Sequence, residues 1–188
     1  MSLYHSEVYF PAEDTHLLLE AARRVLRPGD QVLEIGTGSG EIAAGLLQMA
    51  DRIVATDINP HAAEMAFSRG VPVIRTDLFS GLSGRFDLII FNPPYLPTVE
   101  EERIDDWLEY ALDGGEDGRR TIQRFLEVAP DHLTLQGRIL LLVSSLTGIS
   151  EVSSLFSKAG MIAFTVAEEV CEGENLVVLL GMRDLCRV

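Results

Sequence analysis

Asn92-Pro93-Pro94-Tyr95 follows directly on Leu88, Ile89, Ile90 and Phe91, an apolar, β-favouring run. Proline has no N–H to give a sheet ladder, and the residue before a proline is driven out of the helical region. The segment is therefore stiff and extended at the end of a buried strand, with an amide and a phenol held in place. Asn92 offers a side-chain carbonyl oxygen, and the main-chain carbonyl of Pro93 offers a second acceptor. Two fixed acceptors suit a planar NH2 group whose lone pair is delocalised. Such a nitrogen needs no base, only to be held facing an electrophile, and Tyr95 can pack its ring on the flat group. The plainer alternative is a proline-stiffened turn with Tyr95 at the edge of the core.

Three further strand ends carry candidate chemistry. Glu34-Ile35-Gly36-Thr37-Gly38-Ser39-Gly40 spaces its glycines at alternate positions, so the backbone can turn tightly and admit a ligand. The dinucleotide fingerprint is GxGxxG, whereas this is GxGxG after an acidic residue, and no lysine follows as in a phosphate-cradling loop. Asp57 can accept both hydroxyls of a ribose, or cap the helix that Asn59-Pro60 opens. Asp77 can accept from an adenine amino group, or be an exposed turn residue. As a set, Glu34, Asp57 and Asp77 at successive strand ends point to one pocket.

The elements that must position these residues follow from periodicity and breakers. Leu17, Leu18, Ala21, Ala22 and Val25 mark a helix over Glu13–Leu26, closed by Arg27-Pro28-Gly29-Asp30. Strands are expected at Gln31–Ile35, Arg52–Thr56, Val71–Arg75, Phe86–Phe91, Arg138–Ser144, Ile162–Glu168 and Asn175–Met182. Helices are expected at about Glu41–Ala50, from Asn59-Pro60, at Arg119–Leu133 and at Ile149–Ala159. A polar, acidic segment from Pro97 to Gly118 holds the single Trp107 and Gly114-Gly115-Glu116-Asp117-Gly118. Helices between strands imply a parallel sheet covered on both faces. Glu172-Gly173-Glu174 joins the last two strands too tightly for a crossover, so one of them runs antiparallel. The expectation is a doubly wound, mostly parallel α/β sheet of seven strands, with ligands at the carboxyl ends near the switch point.

The 188 residues suffice for one catalytic domain with its own core, with a short leader and helix over about 1–29. The apolar run Ile139–Val143 is far too short to cross a bilayer, and the N-terminus lacks a signal pattern. Cys171 and Cys186 sit in no metal or disulfide pattern. These features read as a cytoplasmic protein. The net charge of −14 disfavours free nucleic acid as a substrate, since a phosphate backbone asks for a basic face. His5, His16, His61 and His132 read as too scattered for a metal or a triad.

Glu34-x-Gly36-x-Gly38-x-Gly40, Asp57, Asp77 and Asn92-Pro93-Pro94-Tyr95, in this order, resemble a class I S-adenosylmethionine-dependent methyltransferase over about Tyr9–Val143. More narrowly the chain resembles the HemK-type protein glutamine N5-methyltransferases, which modify the Gly-Gly-Gln tripeptide of translation release factors. Tyr9-Phe10-Pro11-Ala12-Glu13-Asp14-Thr15 and Leu112-Asp113-Gly114-Gly115-Glu116-Asp117-Gly118 are similar to that group. The resemblance implies a Rossmann-like fold and S-adenosyl-L-methionine held by Thr15, Glu34, Gly36, Thr37, Gly38, Gly40, Asp57, Ile58, Asp77, Leu78 and Asn92. It implies Asn92, Pro93 and Tyr95 as the catalytic clamp. Glu13, Asp14 and Thr15 can equally be a helix-capping cluster.

Bacterial members carry an N-terminal helical domain, and only about 30 residues precede the first strand here. The compact form resembles the archaeal and eukaryotic branch, whose members work with a small zinc-binding activator at a sheet edge. By resemblance that edge is Val71-Pro72-Val73-Ile74; independently, Pro72 fits an edge strand, or merely protects one. The same clamp serves adenine or guanine exocyclic amines, so a nucleic-acid N-methyltransferase is the competing reading. A non-catalytic partner subunit would have lost the clamp or the glycine loop, and both are intact.

Overall fold

A computed structural model describes residues 5–98 and 106–186. Residues 99–105, part of the acidic segment expected over Pro97–Gly118, lie outside the described residues. The element order is α1 (Glu13–Val25), β1 (Gln31–Ile35), α2 (Glu41–Leu46), β2 (Arg52–Asp57), α3 (Pro60–Ser68), β3 (Val73–Arg75) and β4 (Phe86–Phe91). There follow α4 (Glu109–Leu112), α5 (Arg120–Val128), β5 (Leu133–Ser144), α6 (Ile149–Lys158), β6 (Met161–Cys171) and β7 (Glu174–Arg183).

The strands form one seven-stranded sheet in the order β3-β2-β1-β4-β5-β7-β6. β1 pairs in parallel with β2 on one side and β4 on the other, and β7 runs antiparallel between β5 and β6. This is the mostly parallel, doubly wound sheet that the alternation of elements predicts. The switch point falls between β1 and β4, where Ile35 stands beside Phe91. The glycine loop and Asn92 therefore emerge side by side at the carboxyl ends.

Alternate residues of β4 face opposite layers. Leu88 and Ile90 join Leu18, Ala22 and Leu46 in one core, whereas Ile89 and Phe91 join Phe125, Leu141 and Phe156 in the other. Burial on both faces explains why these strands are continuous apolar runs rather than alternating ones. Gly181 makes room for the second core: a Cβ there would stand 2.2 Å from the Phe156 ring.

Boundaries differ from the sequence expectation where proline or a tight turn intervenes. The helix expected over Arg119–Leu133 ends at Val128, because Pro130 forces a 3₁₀ turn over Ala129–His132. β5 then begins at Leu133, five residues before the expected start. β3 shrinks to Val73–Arg75; Pro72 has no N–H, although its carbonyl still accepts from Ala55 at 2.9 Å. The helix expected from Glu41 to Ala50 stops at Leu46, with Met49 and Ala50 both donating back to the Leu46 carbonyl.

Candidate active site

Glu34 is buried at the end of β1, and one carboxylate oxygen accepts from Thr37 Oγ1 at 2.6 Å and from Ala43 N–H at 3.1 Å. Burial pushes its carboxyl up to about 8, against the lowering effect of those two bonds. Glu34 thus laces the glycine loop to the start of α2. Gly40 has φ +78°, and a Cβ there would meet Ala66 Cα at 2.7 Å, so only glycine lets α2 and α3 approach so closely.

Gly38 donates its N–H to Asp57 at 2.8 Å, and the other Asp57 oxygen takes Asn59 N–H at 2.9 Å. Burial raises the Asp57 carboxyl, and its backbone hydrogen bonds oppose that shift. A carboxylate offers about four lone-pair sites, so acceptor capacity remains for ligand hydroxyls. Asp57 does not cap α3: Asn59 does, accepting from His61 and Ala62, and Asp57 instead accepts Asn59 N–H.

A cavity of about 360 Å³ opens between these loops, within the range of small-molecule sites. Thr15, Gly36, Thr37, Gly38, Asp57, Ile58, Asp77, Leu78, Asn92, Pro93 and Tyr95 line it together. Glu34 and Gly40 stand behind that wall and shape the loop instead. Asp77 is shared: its carboxylate pairs with Arg124 at 2.6 Å, itself a lining residue. Leu78 holds φ +47°, a left-handed conformation costly for a non-glycine residue and often kept at functional sites.

Asn92 is held from behind. Its Nδ2 donates to Asp14 Oδ2 at 3.0 Å, and Tyr9 Oη donates to the same oxygen at 3.1 Å. The other Asp14 oxygen takes Thr15 N–H at 2.6 Å and Thr15 Oγ1 at 3.1 Å. This network fixes the amide orientation and leaves Asn92 Oδ1 buried with no donor among the described residues. An unsatisfied buried acceptor of this kind costs about 1–3 kcal/mol. Burial, and then the Asp14 charge, push the Tyr95 phenol up and keep it neutral.

A family profile described as "Methyltransferase small domain" matches residues 13–105. A Methanocaldococcus jannaschii protein named as an N5-glutamine methyltransferase is 40% identical, the alignment covering 95% of this chain and 93% of that one. The chain belongs to the N5-glutamine methyltransferase family. Human methyltransferase HEMK2 is 38% identical over 93% of this chain and 89% of its own length. Among solved structures, E. cuniculi Mtq2, in its complex with Trm112 responsible for methylation of eRF1, superposes with a TM-score of 0.79. It is 30% identical and covers 95% of this chain and 99% of its own.

In this N5-glutamine methyltransferase, several contacts around the site are not visible in the sequence. Asp14 reads as a cap in the first turn of α1, yet the N-cap position, Ala12, makes no side-chain cap bond, and Asp14 turns into the site. Tyr9 and Glu174 line the cavity as well, and Ser144 Oγ donates to Glu174. Trp107 lies at the rim, with the Arg75 guanidinium 5.6 Å from its ring centroid. The histidines correct the reading of dispersal: His5 stacks on His61 with centroids 3.8 Å apart and planes within 9°. The leader folds back onto the start of α3, which sequence separation conceals.

Proposed function

We propose that this methyltransferase transfers a methyl group from S-adenosyl-L-methionine to the side-chain amide nitrogen of the glutamine in a release-factor Gly-Gly-Gln segment. The observation that carries the reading is Asn92 Oδ1, a buried acceptor with no donor among the described residues, on a side chain that Asp14 fixes and that lines the cavity beside Pro93. An amide NH2 brings two donors; Asn92 Oδ1 takes one and the Pro93 carbonyl the other. The nitrogen then faces the reacting carbon with Tyr95 against the flat of the amide. Positioning of this kind can contribute as much as ~7–11 kcal/mol to lowering a barrier. On transfer the amide nitrogen would gain the methyl carbon as the cofactor's carbon–sulfur bond breaks to leave a neutral thioether, and the nitrogen would give up one N–H proton to solvent, so no histidine base is required. The names carried by the archaeal relative and the E. cuniculi relative support this substrate.

The residues present fit the cofactor. Asp57 retains acceptor capacity for ribose hydroxyls; among the other lining residues, Ile58, Asp77 and Leu78 would hold the adenine and Thr15 and Gly36–Gly38 the amino-acid end. When bound, S-adenosyl-L-methionine supplies a methyl group activated by a positively charged sulfur. The carboxylates of Asp57 and Glu174, which line the cavity, would offset that charge. Residues 1–188 act in this reading as a single catalytic domain. Among the described residues no helix is long and apolar enough to cross a membrane, and a release-factor substrate supports a cytoplasmic location.

The activator docks, in the same proposal, along β3. This three-residue strand ends the sheet, follows Pro72, carries exposed Ile74 and lies beside α3, whose Phe67 is 71% exposed. Exposed apolar groups beside an unpaired strand suit a small zinc-binding partner that adds there, and the E. cuniculi relative was solved as a complex. The test is tritiated methyl transfer to release factor, its Gln→Ala variant in the Gly-Gly-Gln tripeptide, and bulk RNA, with and without the activator. Label on the factor that disappears with the glutamine variant is expected; label on RNA alone would overturn the proposal.

A further inference from the structure

We propose that His5, Glu7 and His61 form a site for a divalent transition metal, with zinc its best-matched occupant, that staples the leader to the start of α3. One ligand atom from each of the three residues can be chosen so that all lie within 4.8 Å of one another. Donors around tetrahedral zinc stand about 3.3 Å apart, given Zn–N of 2.0–2.1 Å and Zn–O of 2.0–2.2 Å. Each pair therefore closes by at most about 1.5 Å, within reach of rotamer changes in side chains at the surface. Two imidazoles and a carboxylate select zinc, copper or nickel over magnesium or calcium. Three protein ligands leave a fourth position to water.

The backbone that carries these ligands is already tied together. The Glu7 carbonyl accepts from Asn59 Nδ2 at 2.8 Å, and Asn59 Oδ1 accepts His61 N–H at 2.9 Å. The leader turn itself closes through Val8 N–H to the His5 carbonyl at 3.1 Å. Glu7 Oε2 takes Trp107 N–H at 3.3 Å, so its carboxylate is oriented before a metal arrives. Such outer contacts set ligand geometry in metal sites. Two existing interactions are surrendered: the face-to-face stack of His5 on His61, whose planes must open for both rings to reach one metal, and the bond in which His5 Nδ1 accepts Glu7 N–H at 3.2 Å. Coordination through Nδ1 displaces that bond directly, and coordination through Nε2 moves the ring proton to Nδ1. The bond is exposed and contributes little. The net charge of −14 favours any cation at the surface.

The staple has a structural consequence. His5 and Glu7 immediately precede Val8 and Tyr9, which form part of the cavity wall. A metal on the triad ties that stretch to α3, so it raises folded-state stability by binding the native arrangement alone. Zinc titration of the full chain by calorimetry near neutral pH, with melting curves at matched metal concentrations, tests this without any activity readout. One zinc per chain and a rise in Tm are expected for the wild type. H5A and H61A should each weaken zinc by more than about tenfold and lose the rise in Tm. A C171S/C186S double variant should titrate like the wild type, and cobalt in its place should give four-coordinate absorption. No saturable binding, or H5A and H61A titrating like the wild type, would overturn the site; so would loss of binding in the cysteine variant.

Discussion

Replacing Asp14 by asparagine tests the mechanism where the sequence is least explicit. Asp14 Oδ1 is occupied by Thr15 N–H, so the new NH2 of D14N takes the Oδ2 position and faces Asn92 Nδ2, formerly 3.0 Å from an acceptor. Two donors then oppose each other, and Tyr9 Oη loses its partner as well. Asn92 relieves the conflict by turning its amide, which points an NH2 rather than a carbonyl at the substrate. A hydrogen bond to a charged group contributes about 1.5–3 kcal/mol. At about 1.4 kcal/mol per decade, D14N should lower kcat roughly 10- to 150-fold. Cofactor affinity by calorimetry should be unchanged, because Asp14 acts through Asn92. Steady-state transfer by wild type and D14N, with cofactor affinity measured on the same samples, tests the relay. Full activity in D14N, or a loss of cofactor affinity that matches the loss of rate, would refute it.

The other variants probe the scaffold around it. D57A removes the acceptor for ribose hydroxyls and the anchor for Gly38 N–H, so calorimetry should show cofactor affinity weaker by at least about tenfold. G40A places a Cβ 2.7 Å from Ala66 Cα at φ +78°; strain and overpacking together should destabilise by about 2–6 kcal/mol, read from urea midpoints. Glu34 should make stability fall with rising pH. Its folded carboxyl is held at about 8 against an ordinary 4.5, so the folded state keeps a proton the unfolded chain has lost. That contribution is full below about 4.5 and is lost as pH rises through 8, at up to about 1.4 kcal/mol per pH unit. Urea unfolding of wild type and E34Q across this window checks it: the difference between them should shift steadily in favour of E34Q as pH rises.

The sheet was legible because its strands are buried on both faces and announce themselves as apolar runs ended by glycine, aspartate or proline. Asn92-Pro93-Pro94-Tyr95 was legible because its stiffness is local. What sequence could not supply was the company each residue keeps. Asp14 and Asn92 are far apart along the chain, and an acidic residue in the first turn of a helix looks like a cap until its partner is seen. Glu34 shows the converse: an acidic residue at a strand end suggests a ligand contact, but it turns into the protein and secures the loop. Pro130 and Pro72 moved element boundaries by removing N–H donors, an effect readable in principle but blurred by the helical pattern of α5. The stacking of His5 on His61 depends on how the leader folds back, which no local pattern encodes.

The central claim is that Asn92 Oδ1 accepts a substrate N–H. Single-turnover methyl transfer by N92A, with cofactor affinity measured on the same sample, tests it most directly. The account predicts that transfer is abolished while the cofactor binds nearly as tightly as in the wild type. An N92A variant that transfers at the wild-type rate would contradict it.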